Sequence, residues 1–456
     1  MTRSSSWHRM SNFLRKYRKI PHSSFKTKWN ETLKHKHAME QLKTGLVSNP
    51  TSSSNVSVIQ TLTNSFHIHN CDPTPQAYRF VIKTLTKASN LESIASVLNH
   101  LETSEKFETP ETVFKDVIFA YGFSGKIDEA IDVFFRIPKF RCVPSAYTLN
   151  ALLSVLVRRR EGLVMVPEVL VKASGMGVRL EESSFEILVD ALCKIGEVDC
   201  ASELVKYMSD ESYIVDPSLY SKLLSSVCKH KDSSSFDVIG YVEELRKMRF
   251  SPDLRDYTVV MKFLVQGGRG KEVVSVLNQM KCDRIEPDLV CYTIILQGVI
   301  ADGDYSKADK LFDELLLLGL TPDVYTYNVY INGLCKQDDI EGAIKMMSCM
   351  EKVGCEANVV TYNILLKGLV KAGDMSGAKT LWEEMERNGV DRNSHTYDIM
   401  VGGFIEVDDV GYAQGLLEEA FSRNLVVKRS RTEEVICRLC DKGLMDEAVE
   451  LLAHLV

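Results

Sequence analysis

The sequence has no apolar run long enough to cross a membrane. Its most apolar short stretch, residues 315–320, has six residues, whereas a transmembrane helix needs about 20. Mean hydropathy is −0.08 over the 456 residues, so apolar and polar residues are nearly balanced. We therefore expect no membrane partner.

The twelve cysteines show no paired spacing, and no secretory apolar segment precedes them. We interpret them as reduced thiols. His100, Glu102, Cys437 and Cys440 are residue types found in zinc deaminases, but over 300 residues separate the two pairs and no proline precedes Cys437. Because Cys440 recurs at the place of a cysteine in other repeats, we predict that it packs in the core.

The sequence also lacks a phosphate-binding loop. Glycines 267, 268 and 270 are not followed by the Lys-Ser/Thr pair that such a loop needs. The paired acids near residues 338 and 408 fall at turns or helix starts, where aspartate caps backbone amides. We predict no enzyme activity, no cofactor and no metal site.

Charge is distributed unevenly. Residues 1–50 contain eleven Lys and Arg but only two acids, Glu31 and Glu40, whereas the whole chain carries −7. A basic, serine-bearing and acid-poor start is typical of an organelle transit peptide, and we predict a mitochondrial one, with a chloroplast as the alternative location. A basic tail on a cytosolic protein would have the same composition. Residues 51–74 are interpreted as a linker and a possible capping helix.

A repeat of 35 residues organises the rest of the chain. The segments VYTYNVYINGLCK and VVTYNILLKGLVK begin at Val324 and Val359. Each has the spacing of an amphipathic helix, followed by a glycine or polar turn and a second apolar stripe. Such periodicity predicts stacked helix–turn–helix units. The units are assigned to residues 75–110, 111–145, 146–181, 182–216, 217–253, 254–288, 289–323, 324–358, 359–393, 394–428 and an incomplete 429–456.

The Thr-Tyr-Asn opening, the Gly-Leu-Cys-Lys helix end and the 35-residue period resemble the pentatricopeptide repeat family. The resemblance implies an all-α, right-handed α-solenoid superhelix of about ten repeats plus a partial one. It also implies the plant organelle P subclass, which consists of 35-residue repeats alone. The tetratricopeptide repeat, which would bind protein, has a 34-residue period and a different Trp/Gly/Tyr signature.

Positions are counted here from the first residue of each unit. Positions 2, 5, 9 and 13 form one stripe along the first helix, separate from its apolar stripe. At the best-matched units this stripe offers a flat or apolar side chain, a short polar one and a cation, which is what single-stranded RNA requires. The side chains predicted to sandwich bases are Val290, Tyr325 and Val360.

Cations recur near the end of the first helix, and we predict that they contact phosphate. Lysine at this place also complements the helix dipole, so its presence alone does not decide between RNA binding and helix stabilisation. The predicted phosphate-contacting residues are Lys194, Lys229, Lys262, Lys336, Lys367 and Lys371.

The resemblance implies that position 5 and the last residue of a unit jointly select a base. The implied pairs are Ser221/Asp253, Thr258/Asp288, Thr293/Asp323, Asn328/Asn358 and Asn363/Asn393. Thr with Asp is implied to prefer guanine, and Asn with Asn pyrimidine. The expected core target is 5′-(G)GG(C/U)(C/U)-3′, with the N terminus toward the 5′ end. The outer units carry position-5 residues that do not fit the family: Arg79, Lys115, Glu186, Asp398 and Glu433.

These observations predict a sequence-specific single-stranded RNA-binding protein. It would act by occupying an organellar transcript, which affects processing, splicing, stability or translation, with other RNA-processing or ribosomal proteins as further partners. The alternative is a protein-interaction scaffold that uses the same solenoid without reading bases. The acidic balance of residues 51–456 keeps this alternative open.

Overall fold

The computed structural model describes residues 24–48, 55–88, 90–105 and 107–453. This part of the chain is helical with short turns and contains no strand, which confirms the predicted all-α repeat fold. It divides into two bodies, residues 1–219 and 220–456. The handedness of the superhelix stays a prediction. None of the described helices is both long and apolar enough to span a bilayer.

The first body is built from consecutive helical hairpins. Its helices are α1 Ser24–Ser48, α2 Asn55–His67, α3 Pro75–Lys87, α4 Leu91–Ser104, α5 Glu111–Phe123, α6 Ile127–Arg136, a 3₁₀ turn Ile137–Phe140, α7 Ala146–Leu156, α8 Arg160–Gly175, α9 Glu182–Ile195 and α10 Val198–Asp210.

The second body continues the same alternation of first and second helices. Helix α11, Pro217–His230, contains the division between the bodies. It is followed by α12 Val238–Lys247, α13 Leu254–Gln266, α14 Gly270–Cys282, α15 Leu289–Ala301, α16 Tyr305–Leu317, α17 Val324–Lys336, α18 Ile340–Lys352, α19 Val359–Lys371, α20 Met375–Arg387, α21 Ser394–Glu406, α22 Val410–Ser422, α23 Arg429–Asp441 and α24 Met445–Ala453.

Helix α1 lies within the predicted leader, yet it is packed. Ala38 and Leu42 are fully buried and join Leu62 and Phe66 of α2 in the core of the first body. Each buried leucine contributes about 1.5–3 kcal/mol relative to an exposed one. Residues 1–23 and 49–50 of the predicted leader and 51–54 of the predicted linker lie outside the described residues.

In several units, a buried tyrosine at position 4 of the first helix forms a hydrogen bond to the second helix. The Tyr292 hydroxyl donates to Glu314 Oε1 at 2.8 Å, and the Tyr397 hydroxyl donates to Glu419 Oε1 at 2.9 Å. Both rings are fully buried, and burial raises the pKa of both hydroxyls. The hydrogen bond to the second helix satisfies a hydroxyl that burial would otherwise leave without a partner.

Successive first helices pack closely because position 10 is glycine. A Cβ built on Gly368 would lie 2.9 Å from Cys335 Sγ at position 12 of the preceding unit, and one on Gly403 would lie 2.8 Å from a Val370 methyl. Such approaches are far below the ordinary van der Waals distance, so even a methyl group is excluded unless a neighbour moves. The same contact recurs at Gly298 against Val265 and at Gly333 against Ile300.

This packing corrects the expectation for Cys440. Cys440 occupies position 12, where Cys193 and Cys335 are buried, but it is exposed. In the described residues no further first helix follows α23 to cover that position. The repeat pattern placed Cys440 at position 12 correctly, but it did not predict that this position is exposed when no following first helix covers it.

Candidate nucleic-acid interface

The three side chains predicted to sandwich bases are apolar yet exposed. Val290, Tyr325 and Val360 expose 48%, 59% and 50% of their surface. Each is the second residue of its helix, while the tyrosine two residues later turns into the core. Three exposed apolar side chains at equivalent places provide surfaces against which a flat ring can pack.

The last residue of each unit in this region is the N-cap of the next first helix. Asp288 Oδ1 accepts from Cys291 N at 2.9 Å, and Asp323 Oδ1 accepts from Thr326 N at 2.7 Å. Asn358 and Asn393 accept in the same way, at 3.1 Å from Thr361 N and 3.0 Å from Thr396 N. Capping therefore uses one oxygen, so an aspartate retains a second acceptor whereas an asparagine presents its NH₂ group.

A buried threonine links the two members of the Thr293/Asp323 pair. The Thr293 and Thr326 hydroxyls lie 2.8 Å apart, and the Thr326 hydroxyl also donates to Asp323 Oδ1 at 2.7 Å. Thr293 is additionally within 2.7 Å of the Leu289 carbonyl, to which its hydroxyl can donate. Position 5 and the last residue of this unit thus belong to one hydrogen-bonded group.

In two other predicted pairs, the third residue of the next first helix also links position 5 to the last residue of the unit. The Ser221 hydroxyl donates to Asp256 Oδ2 at 3.1 Å, and Asp256 forms a reciprocal capping box with Asp253. Burial raises the pKa of the Asp256 carboxyl. Thr258 Oγ1 lies 3.7 Å from Cys291 Sγ, and Cys291 N donates to Asp288. Burial raises the pKa of the Cys291 thiol to about 11, so this contact involves a neutral thiol.

The asparagines at position 5 are more enclosed than the sequence suggested. Asn328 and Asn363 are each 6% exposed, and the Oδ1 atoms of both are buried without a partner among the described residues. Asn363 Nδ2 donates to Asn393 Oδ1 at 3.4 Å, which joins that pair directly. A buried acceptor without a donor costs about 1–3 kcal/mol, so these amides are poised for a further hydrogen bond.

All six predicted phosphate-contacting lysines are exposed, but two have carboxylate partners. Lys194 Nζ lies 2.6 Å from Asp190 Oδ2 on its own helix, and Lys371 Nζ lies 3.0 Å from Asp338 Oδ1 of the preceding unit. The exposed lysines that complete the set are Lys229, Lys262, Lys336 and Lys367. A nearby carboxylate offsets the attraction of a lysine for phosphate.

Position-5 residues that depart from the family pattern make internal contacts. Asp398 Oδ1 accepts from Lys428 N at 2.8 Å at the start of α23, where the N-cap residue supplies no side-chain bond. Glu433 Oε1 accepts from Arg429 Nε at 2.8 Å. In these last units, the side chains at the base-selecting place therefore stabilise the helix instead.

Sequence reasoning missed Tyr147, which is position 2 of the unit 146–181. Its ring is 44% exposed, and Lys115 Nζ lies 4.3 Å from the ring centroid. Its position in the unit was the available signal, because Tyr325 occupies the same place. It was missed because its unit ends in Glu181, which does not fit the family pattern, although Asn150 at position 5 does.

Comparison with known proteins identifies the repeats. The PPR repeat family model matches residues 252–301, 287–336, 324–371 and 357–406, and two further PPR repeat models match residues 176–209 and 112–142. A mitochondrial pentatricopeptide repeat-containing protein of Arabidopsis thaliana is 81% identical over 456 residues, which is 100% of both chains. The chain belongs to the pentatricopeptide repeat family. The predicted mitochondrial location is confirmed by this full-length relative.

Solved structures of the pentatricopeptide repeat protein PPR10 resemble this chain less closely. PPR10 from maize is 21% identical with a TM-score of 0.44, and the match covers 88% of this chain and 66% of the maize protein. The PPR10 complex with an 18-nt psaJ RNA element is 18% identical with a TM-score of 0.40, covering 87% and 75%. The chain thus spans just under two thirds of the free maize protein.

Proposed function

We propose that this mitochondrial pentatricopeptide repeat protein binds single-stranded RNA and reads a short base sequence with the units between residues 217 and 393. It acts by occupying its target, without a chemical step of its own. Bound RNA is protected from nucleases or held unfolded, which affects transcript processing, splicing, stability or translation. The proposed core target is 5′-(G)GG(C/U)(C/U)-3′.

The observation that carries the proposal is the linkage between position 5 and the last residue of the same unit. Thr293 and Asp323 share the Thr326 hydroxyl, and Asn363 contacts Asn393 directly. Because one base edge spans several ångströms and carries more than one polar atom, two linked side chains can read it together.

The difference between aspartate and asparagine caps accounts for the proposed base preference. The second oxygen of Asp288 or Asp323 is an acceptor, and guanine presents N1–H and N2–H donors on its Watson–Crick edge. The NH₂ group of Asn358 or Asn393 is a donor, and cytosine presents acceptors at N3 and O2. Each matched contact contributes about 1–3 kcal/mol of discrimination.

The exposed apolar side chains and lysines supply the sequence-independent part of binding. Val290, Tyr325 and Val360 would hold successive bases between them. Lys336 and Lys367, which are exposed on the helices of Tyr325 and Val360, and Lys262, which is exposed on α13, would contact phosphates. Lys371 would contribute less while it is paired with Asp338.

The test is RNA binding by the full chain and a Thr293→Val variant, which removes the hydroxyl but keeps the shape. Wild type is expected to prefer an oligonucleotide with the core target over a scrambled one, and the variant to lose about tenfold in that ratio. Thr380→Val on α20, at an exposed site, is the matched control. Equal wild-type affinity for core and scrambled RNA would overturn base reading.

One observation favours a protein scaffold as the second candidate function. The last units replace the cations of the stripe with exposed acids, Glu406 and Asp441, and their position-5 side chains hold the fold together. Acids repel phosphate, so this end fits a protein partner better than RNA. Crosslinking in mitochondria separates the two functions, because a scaffold would retain its protein partners and lack RNA crosslinks at Thr293 and Asn328.

A further inference from the structure

A second set of exposed and half-buried side chains lies in the first body, on or directly after the first helices of three consecutive units. Helices α3, α5 and α7 are neighbours, and α3 and α5 each present positions 5, 9 and 13 at intervals of four residues along one side. Helix α7 ends at Leu156, and Arg158 at position 13 of its unit lies in the turn that follows. We call the basic and aromatic side chains at these positions of the three units, together with position 2 of α7, the N-terminal stripe. It consists of Arg79, Lys83, Lys87, Lys115, Phe119, Phe123, Tyr147 and Arg158.

Two aromatic residues of the N-terminal stripe, Phe123 and Tyr147, are exposed rather than part of the core. Phe123 exposes 62% of its surface and Tyr147 44%, whereas Phe114 on the same helix as Phe123 is fully buried. Phe119 lies beside Phe123 with ring centroids 5.9 Å apart and planes inclined by 22°. Exposed rings do not stabilise the fold as buried ones do, so their place on the stripe calls for another explanation.

Each exposed ring has a cation beside it. Arg158 Cζ lies 4.6 Å from the centroid of Phe123, and Lys115 Nζ lies 4.3 Å from that of Tyr147. Such pairs hold the positive charge next to a flat apolar surface without neutralising it. A nucleotide offers the complementary pair of features, a flat base and an attached phosphate.

The charge of the N-terminal stripe is strongly positive. It carries five cations, and Lys83, Lys87 and Arg158 are exposed. Asp116 lies next to the stripe, 3.8 Å from Arg79 Nε, and offsets part of that charge. This contrasts with Lys194 in the following unit, which is bound to Asp190 at 2.6 Å.

We propose that the N-terminal stripe binds single-stranded RNA without selecting bases. Phe123 and Tyr147 stack on bases, and Lys83, Lys87 and Arg158 contact phosphates. Its residues at position 5, Arg79 and Lys115, are long cations that reach phosphate and lack the short side chain that reads a base edge. Asn150, at position 5 of α7, is short, but its amide already donates to Ser183 Oγ at 2.7 Å and its unit ends in Glu181. The choice of RNA as ligand rests on the proposed function, but the stripe is independent of the base-reading pairs.

Two variants of the full chain test the stripe, one for its rings and one for its charges. Phe123→Ala/Tyr147→Ala is expected to lower affinity for the core oligonucleotide and for oligouridine alike, by about tenfold each. Lys83→Gln/Lys87→Gln/Arg158→Gln is expected to reduce the slope of log affinity against log salt by about 2, the value for three phosphate contacts on a single strand.

The matched control is Val164→Ala/Val171→Ala on α8, whose side chains are 81% and 73% exposed away from the stripe. It should bind both RNAs as wild type does. Circular dichroism melting of all variants checks that folding is retained, which the exposure of the changed side chains leads us to expect.

The outcomes separate this proposal from base reading. If wild type prefers the core target but both stripe variants bind as wild type does, the stripe proposal is wrong and base reading stands. If the stripe variants lose oligouridine while Thr293→Val binds like wild type, base reading is wrong and the stripe stands. Loss of a co-purifying protein with unchanged RNA affinity would also overturn the stripe proposal.

Discussion

Lys371 Nζ lies 3.0 Å from Asp338 Oδ1, and the two residues come from successive units. Asp338 occupies the turn between α17 and α18 with φ +65°, at the place where the adjacent units have Gly303 and Gly373 with φ +79° and +75°. An L-residue with positive φ is less stable there than glycine. The turn therefore has a slightly unfavourable backbone conformation, and it places a carboxylate in contact with a lysine of the proposed RNA site.

Replacing Asp338 should release that lysine. Asp338→Gly is expected to raise RNA affinity about two- to threefold and to stabilise the fold by up to about 1 kcal/mol, because glycine tolerates the turn. Asp338→Asn should raise affinity similarly with little change in stability. Binding assays and urea denaturation measure the two effects, and a fall in affinity for both variants would contradict the assignment of Lys371 to phosphate.

The glycine at position 10 sets how closely successive first helices pack. Gly368→Ala is expected to destabilise the second body by about 1–2 kcal/mol, because its Cβ would meet Cys335 Sγ at 2.9 Å. Gly415→Ala on α22 is the control, since nothing lies within 4 Å of the added Cβ. That control should gain about 0.5–1 kcal/mol from helix propensity. Urea denaturation compares them, and Cys335→Ala should restore part of the stability of Gly368→Ala, because it removes the Sγ contact but leaves Ile340 Cδ1 at 3.0 Å.

The cap at Asn358 offers a change of base preference without loss of structure. Asn358→Asp keeps the N-cap, so stability should change by less than about 0.5 kcal/mol. The new carboxylate accepts from N3–H of uracil, whereas the original amide donates to N3 of cytosine. Because Asn328 at position 5 is unchanged, the site should still take a pyrimidine, and we expect the preference to move from cytosine toward uracil by about five- to tenfold. Asn358→Ala should lose about 1 kcal/mol of stability and bind both bases more weakly.

Asp283 makes the stability of the second body depend on pH. Its hydrogen bond from Arg246, at 2.5 Å, holds the pKa of the carboxyl below its usual value. The contribution is therefore present above about pH 4 and is lost as pH falls through the lower folded pKa. Asp283→Asn should cost about 1–2 kcal/mol at pH 7, and the difference from wild type should shrink below about pH 4. Asp391→Asn, at an exposed site, is the control for urea denaturation.

The helices could be predicted from the sequence because the residues that begin them and pair them lie close together in the chain. Asp323 and Asn358 begin helices by capping, and Tyr292 and Tyr397 bind the second helix of their own unit. These interactions are local, at most 28 residues apart for the tyrosine hydroxyls of the described hairpins, and they recur with the period. A periodic pattern therefore predicts them well.

Contacts between units were harder to predict. The pairing of Lys371 with Asp338 joins residues 33 apart and depends on the angle between two hairpins. The burial of Asn328 and Asn363 depends on the next first helix, which covers position 5 as it covers position 12. The exposure of Cys440 has the same origin, since its outcome is decided by a neighbouring helix rather than by its own unit.

The side chain that ends one unit also begins the next helix, and this has a consequence for evolution. Few residue types cap a helix well, chiefly Asp, Asn, Ser and Thr. The residues that end the units between 217 and 393 are drawn from that set: Asp253, Asp288, Asp323, Asn358 and Asn393. Mutations within this small alphabet alter which polar atom faces outward while the helix start is preserved. New specificities can thus be acquired one repeat at a time by substitutions that the fold tolerates.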